Sequence, residues 1–237
     1  MLADQGISRS ASGALAPGTL LPGEWLNALV TFIASVLPGW RDDPARPVHT
    51  SETALSAQLC SRLNSACRHC GWDFLQFKRE EPDEEAAQRA IDLVAAPRGA
   101  TLWIEGREFT EYCTLLPIEC KRLPTPAGPK RDAREYLYSQ HSSTGGVQRF
   151  KAGHHASAHA RAAMIGYVQE NAILHWQGQL DQWIDGLANE GLAGWSAADK
   201  LGLTLHDTAA RVASLRSTHN RQSGLSDILV DHLWVEM

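Results

Sequence analysis

The chain has 237 residues, a formal net charge of −5 and 43% hydrophobic residues. Its length allows a full hydrophobic core in one large domain or two small ones, and no apolar run approaches the roughly 20 residues of a membrane span. The N-terminus lacks a charged segment followed by an apolar one, so no secretory signal is predicted. The five cysteines follow no disulfide pattern of secreted proteins, which indicates a reducing, cytoplasmic setting.

The first part of the chain predicts an irregular segment and then a helix. Residues 1–22 are rich in Ala, Gly, Ser and Pro, which is typical of irregular structure. Apolar residues at helical spacing predict an N-terminal helix over 23–38, which Pro38 and Gly39 end.

A second helix follows, and it carries the first candidate site residue. Thr50 or Ser51 caps this helix, which runs to about Cys70. Glu52 lies in its first turn. An acid there either complements the helix dipole or contributes to a site.

The next segment predicts two strands, the second of which contains an isolated acid. Residues 72–77 form the first strand, and we interpret the acidic stretch 80–85, with its Pro82-Asp83 pair, as a solvated turn. Asp92 then lies in the apolar run 91–94, where an unpaired carboxylate would be costly to bury. A role as a ligand is therefore the favoured interpretation of Asp92.

The run from Tyr112 to Leu123 predicts a strand that ends in Glu119-Cys120-Lys121. Side chains alternate along a strand, so Glu119 and Lys121 share one face and Cys120 points to the other. A carboxylate and an ammonium here are costly to bury unless they are paired or bound to a metal. Pro117 belongs at an edge or a bulge, and we expect a bulge that re-aims Glu119.

The segment that follows is basic, although the whole chain is acidic. Between Lys121 and Arg161 the chain has eight Lys or Arg residues and two acids. Such a surface can bind phosphate backbones because the local field decides binding; it can also be a solvated charged face. Helices are predicted over 147–168 and 172–187, and strands over 201–205, 211–217 and 228–235.

The order of these residues resembles a known enzyme superfamily. An acid on a helix (Glu52), an acid on a strand (Asp92) and Glu119-x-Lys121 on the next strand are similar to the PD-(D/E)XK nucleases. The resemblance covers roughly residues 50–170. It implies an α/β, restriction-endonuclease-like fold, in which a central mixed sheet is flanked by the helices at 50–70 and 147–168. Since the sequence shows no internal repeat and no convincing linker, a single domain over 1–237 is predicted.

The resemblance also implies a catalytic centre. Asp92 and Glu119 would bind the catalytic Mg²⁺ or Mn²⁺, with the main-chain carbonyl of Cys120 as a further ligand and Glu52 completing a second metal position. Lys121 would orient or help to deprotonate the attacking water and stabilise the developing charge.

Two features depart from the family pattern. Ala90-Ile91 stand where many members have a proline ahead of the aspartate. No Gln-x-x-x-Tyr follows Lys121, which disfavours the recombination-exonuclease branch.

The activity implied is that of a metal-dependent DNA endonuclease. The runs 146–150 and 164–168 are similar to restriction-like proteins of bacterial defence loci, which implies action against phage or foreign DNA, a regulatory partner protein or a second copy of the chain, and no membrane. The residues expected to contact DNA are Arg122, Lys130, Arg131, Arg149 and Lys151.

Three other interpretations stay open at this point. The first is a non-catalytic nucleic-acid-binding or complex-assembly module, in which Glu119 and Lys121 form a structural ion pair. The second is a different metal-dependent hydrolase that acts on a small phosphate ester. The third is half a zinc site at Cys67-x-x-Cys70, against which Cys60 and Cys67 lie on the apolar stripe of their helix and are favoured as core thiols.

Overall fold

The computed structural model describes residues 24–83, 86–99, 101–104, 106–141, 145–192, 194–222 and 224–237. The predicted irregular segment 1–22 lies outside the described residues, as do two positions of the predicted acidic turn. Within the described ranges, no helix is both long enough and apolar enough to cross a membrane.

The elements have the following bounds. The helices are α1 (Trp25–Arg41), α2 (Glu52–Cys67), α3 (Gly146–Lys151) and α4 (Ile173–Asn189), with a 3₁₀ turn at Ala197–Asp199. The strands are β1 (Leu75–Asp83), β2 (Ala86–Pro97), β3 (Leu102–Ile104), β4 (Arg107–Phe109), β5 (Leu116–Leu123), β6 (Arg161–Val168), β7 (Gly202–Asp207), β8 (Val212–His219) and β9 (Ile228–Glu236).

In the described part of the chain, one sheet of seven strands organises the fold. Its order is β1-β2-β5-β6-β9-β8-β7, and β3 and β4 form a separate hairpin. The pairs β5–β6 and β6–β9 are parallel, whereas the other pairs of this sheet are antiparallel. The prediction of a mixed α/β protein with a central mixed sheet flanked by helices is therefore confirmed.

Hydrophobic residues cover both faces of this sheet. One core cluster packs α1 and α2 against odd-numbered positions of β6, such as Ala163 and Ile165. The other packs α3 and α4 against even-numbered positions, such as Ala162 and Met164. Because both faces of the central strands are buried, these strands are apolar at nearly every position.

The prediction of one long helix over 147–168 is wrong. Only α3 is helical, and the end of the range is strand β6, with a loop between them. The β6 run is apolar on both faces because helices cover both faces of the sheet at this strand, so it shows no alternation that would separate a strand from a buried helix. The helix that covers this face together with α3 is α4.

Helix α1 continues past its predicted end. Pro38 lies inside it, and its carbonyl still accepts a hydrogen bond from Asp42 N at 3.0 Å. The last turn is held from outside, since Trp40 is buried and Arg41 donates to the carbonyl of Ala210 at 2.7 Å. Tertiary contacts thus outweigh the usual tendency of proline to end a helix.

Two smaller expectations about the strands are also corrected. Pro117 pairs with Val94 in unbroken register, so no bulge occurs there. Pairing with β6 begins only at Ile118, so the proline leaves no gap in that ladder. The acidic stretch was predicted to be a solvated turn, but as far as Asp83 it belongs to strand β1. The carboxylate of Asp83 is buried and accepts a hydrogen bond from Ala156 N at 3.1 Å.

Candidate functional site

The pairing of β2 with β5 brings two of the predicted acids together. The register pairs Leu93 with Ile118, so Asp92 lies opposite Glu119 one position beyond. Opposite residues of an antiparallel pair face the same side of the sheet. The Asp92 carboxylate turns toward β5, where its Oδ2 accepts a hydrogen bond from Cys120 N at 2.8 Å.

The ammonium group of Lys121 lies at the centre of the candidate site. Its Nζ is 2.9 Å from Glu119 Oε1, 3.2 Å from Glu52 Oε1 and 3.9 Å from Asp92 Oδ2. It also donates to the Cys120 carbonyl at 3.0 Å. Three carboxylates from α2, β2 and β5 therefore converge on one lysine, which is itself buried.

Helix α2 supplies the third carboxylate. Ser51 caps this helix as predicted, with its side chain accepting from Ala54 N at 3.4 Å. This cap places Glu52 at the first position of α2, where its carboxylate oxygen Oε1 lies 3.2 Å from Lys121 Nζ. Glu52 thus occupies the first turn, where an acid suits the helix dipole, and also reaches the site.

Two further residues contact Glu119. Arg149 Nη1, from α3, is 2.5 Å from Glu119 Oε1, and His155 Nδ1 is 3.3 Å from Oε2. Among the described residues, neither His155 Nδ1 nor Glu119 Oε2 has a well-aligned hydrogen bond. The sequence interpretation assigned Arg149 to the DNA surface and did not place His155 in the site. A fully buried carboxylate needs a positively charged group close to it. This requirement could have pointed from the sequence to basic partners of Glu119 such as these two residues.

The electrostatic environment of Glu119 favours its charged form. Burial by itself would raise the pKa of Glu119, but Lys121, His155 and Arg149 outweigh it and lower the pKa to about 2. Burial would likewise lower the pKa of Lys121, but the three carboxylates raise it above its ordinary value. At neutral pH Glu119 is a carboxylate and Lys121 an ammonium.

Asp92 has the opposite tendency. Burial raises its pKa and the charge of Glu119 raises it further, to about 7, although Lys121 and the N–H of Cys120 oppose this shift. An excess of negative charge thus adds to the effect of burial on this pKa, because three carboxylates face the cations of Lys121 and Arg149. Asp92 therefore takes up a proton more readily than Glu119 does.

The donor set of this site suits a hard cation. Carboxylate and carbonyl oxygens are the ligands that Mg²⁺ and Mn²⁺ prefer, and the buried Glu119 Oε2 has no hydrogen-bond partner in the residues described. No group of three or more His, Cys, Asp or Glu side chains in the described ranges is arranged to hold a metal as it stands, since the carboxylates converge on Lys121. Asp92, Glu119, Glu52 and the Cys120 carbonyl are the groups that could hold one.

The basic residues assigned to DNA contact do not form one surface. Arg122 donates to the Thr50 carbonyl at 2.9 Å, and Lys130 is exposed. Arg131 pairs with Glu135 at 2.9 Å. Lys151 is buried against Asp199, whereas Arg149 is partly exposed and contacts the buried Glu119, so these two side chains are engaged within the protein. The assignment of all five to DNA contact stays a prediction.

Comparison of the chain with protein-family models, with curated proteins and with solved structures finds no match. Any functional assignment therefore depends on the residues and geometry described above.

Proposed function

We propose that the chain is a metal-dependent nuclease that hydrolyses phosphodiester bonds. The observation that carries this proposal is the convergence of Glu52, Asp92 and Glu119 on Lys121, from a helix and two neighbouring strands. This is the order of elements on which the likeness to the PD-(D/E)XK superfamily was based. The proposal includes a restriction-endonuclease-like arrangement of the sheet and helices.

Each residue of the site has a role in this proposal. Asp92, Glu119 and the carbonyl of Cys120 would hold Mg²⁺ or Mn²⁺, with Glu52 at a second position. A bound divalent cation supplies Lewis-acid polarisation of the phosphate and lowers the pKa of bound water. Glu119 keeps its negative charge across the neutral range because its pKa is lowered to about 2.

Lys121 is proposed to act on the transition state. Its ammonium has three donors and no lone pair, so it cannot ligate a metal while charged. It is already held beside the carboxylates, at 2.9 Å from Glu119 and 3.2 Å from Glu52. From there it would orient the attacking water and stabilise the negative charge that develops on the phosphate oxygens.

The likeness extends the proposal to substrate and setting. We propose DNA as the substrate, an endonuclease mode of cleavage and a role in bacterial defence against phage or foreign DNA, in the cytoplasm. A partner protein of the same defence system would regulate cleavage, and a second copy of the chain would complete a homodimer.

One observation favours a second candidate function. Glu119 is 0% exposed and is in contact with Lys121, Arg149 and His155. Such a cluster can serve the fold alone, as a buried ion network of a non-catalytic nucleic-acid-binding or assembly module. This candidate predicts a stable protein that cuts nothing.

The test is incubation of the full chain with plasmid and linear DNA in Mg²⁺, in Mn²⁺ or in EDTA. Cleavage is expected with a divalent ion and not with EDTA, and Asp92→Asn should reduce it by several orders of magnitude because a metal ligand is lost. The matched control is Asp185→Asn, which changes the exposed partner of Lys200 and should cut at the wild-type rate. Cleavage that survives EDTA, or equal rates for both variants, would refute the metal-site assignment.

A further inference from the structure

A second polar cluster is buried on the α3 and α4 side of the sheet. Trp234 Nε1 donates to Tyr136 OH at 2.7 Å, and this hydroxyl is 2.9 Å from His232 Nδ1. His232 Nε2 is 2.7 Å from Ser217 Oγ. An indole N–H can only donate. The arrangement that satisfies every group therefore has Tyr136 donating to His232 Nδ1, and His232 donating from Nε2 to Ser217.

The same direction continues to the other end of the cluster. Ser217 Oγ is 2.7 Å from His219 Nε2, and His219 Nδ1 is 2.5 Å from Asp199 Oδ1. Having accepted from one histidine, Ser217 donates its hydroxyl proton to the second, and His219 donates from Nδ1 to Asp199. The same Asp199 oxygen accepts from Lys151 Nζ. All seven side chains thus form one continuous chain of hydrogen bonds, in which both histidines are neutral.

Both ends of helix α3 are attached to this series of hydrogen-bonded side chains. At its N-terminus, three backbone N–H groups donate to the segment 135–137, including Val147 N to the Tyr136 carbonyl at 3.2 Å. The fit is close, because a Cβ at Gly146 would lie 2.8 Å from that same carbonyl. At its C-terminus, Lys151 binds Asp199. Helix α3 has only six residues, so these two attachments add to the core packing of Val147 and Phe150 in deciding where it lies.

Arg149 lies between the two attachments and contacts the candidate site. Its guanidinium is 2.5 Å from Glu119 Oε1, and its backbone carbonyl accepts from His154 N at 2.8 Å. His155, which follows, lies 3.3 Å from the other Glu119 oxygen. The position of α3 therefore sets the positions of Arg149 and His155, which both contact Glu119.

We propose that Lys151 and Asp199 are positioning residues for the candidate site: they anchor helix α3 to the buried hydrogen-bonded chain, so that Arg149 holds the Glu119 carboxylate in place. Neither residue touches Glu119. The consequence for catalysis depends on the proposed nuclease function, whereas the effect on Arg149 does not.

The test follows the Arg149 guanidinium by NMR in the ¹⁵N-labelled full chain, without metal or DNA. The Arg149 signals are identified by their loss in Arg149→Lys. In Lys151→Met, hydrogen exchange of this guanidinium should become about tenfold faster, the factor for losing one hydrogen bond to a charged group. Lys151→Arg keeps the charge and should restore most of the protection.

The matched control is Lys200→Met. Lys200 also pairs with an aspartate, at 2.7 Å from Asp185 Oδ2, but on the surface. This variant should leave Arg149 exchange unchanged. If Lys151→Met does not fold, Ser217→Ala is the second variant. It interrupts the series of hydrogen bonds at its middle while Lys151 and Asp199 stay paired, and it should also make hydrogen exchange of the Arg149 guanidinium faster.

The outcomes separate positioning from plain stabilisation. A Lys151→Met protein that melts at lower temperature but keeps wild-type Arg149 exchange would overturn the proposal, as would equal acceleration in Lys200→Met. If the wild type cleaves DNA, Lys151→Met should lower kcat and leave KM near its wild-type value. If the wild type cleaves nothing, the nuclease proposal fails, and the exchange measurement still decides the role of Lys151.

Discussion

Replacing Lys121 by methionine removes the ammonium on which three carboxylates converge and retains most of the side-chain volume. Lys121 is buried, and it lies 2.9 Å from Glu119 and 3.2 Å from Glu52. Removing one partner of a buried ion pair costs about 3–5 kcal/mol, because it leaves a buried charge without compensation.

The stability lost in Lys121→Met should fall at the lower end of that range. Glu119 keeps Arg149 at 2.5 Å, and the side chains of Glu52 and Asp92 are 27% and 29% exposed, so water can reach them. We expect Lys121→Met to lower the free energy of unfolding by about 3 kcal/mol. For a chain of this size that corresponds to a fall of roughly 6–12 °C in Tm.

Urea unfolding at neutral pH in EDTA measures this loss, and a second series adds Mg²⁺ or Mn²⁺. A ligand that binds only the folded state stabilises it by mass action. Without the competing ammonium, the three carboxylates should bind the divalent ion more tightly, so the variant should gain more stability from it than the wild type. Even with the divalent ion bound, Lys121→Met should cut no DNA, because the donor that stabilises the transition state is gone.

The control and the refuting results are specific. Lys200→Met breaks an exposed pair and should change stability by less than about 1 kcal/mol. A Lys121→Met protein as stable as the wild type in EDTA would show that Lys121 does not compensate the carboxylates. A variant that cuts DNA at the wild-type rate would remove Lys121 from the mechanism and leave a structural ion cluster.

Two further predictions concern the core. A Cβ at Gly166 would lie 2.8 Å from Trp234 Nε1, so Gly166→Ala should lower the free energy of unfolding by about 1–3 kcal/mol. Gly178 lies on α4 with open space around it, so Gly178→Ala should raise the free energy of unfolding by about 1 kcal/mol. Thermal melts of both variants check the sign of each change. Burial lowers the pKa of His219 and of His232 below the ordinary value, so the unfolded state takes up protons first as pH falls. The free energy of unfolding should therefore drop below about pH 6.5, by about 1.4 kcal/mol per pH unit for each histidine. Asp92, whose pKa is raised to about 7, takes up its proton first in the folded state and offsets about one histidine's share, so a net drop remains. Urea unfolding that is flat from there to about pH 5 would contradict the neutral assignment.

Local patterns in the sequence determined much of the candidate site. Alternation along β5 placed Glu119 and Lys121 on one face, and the cap at Ser51 placed Glu52 at the start of α2. Asp92 stood out as a lone acid in an apolar run. These features depend on residues within a few positions of each other, so the sequence is enough to recognise them.

Tertiary structure alone decided the remaining features. The apolar run of β6 is compatible with a helix or a strand until β5 and β9 are paired on either side of it. The approach of Arg149 and His155 to Glu119 depends on the position of α3 and of the loop that follows it. The link from Lys151 to Asp199 joins residues 48 positions apart. Such contacts are selected by the burial of charge and by long-range strand pairing, which no local pattern encodes.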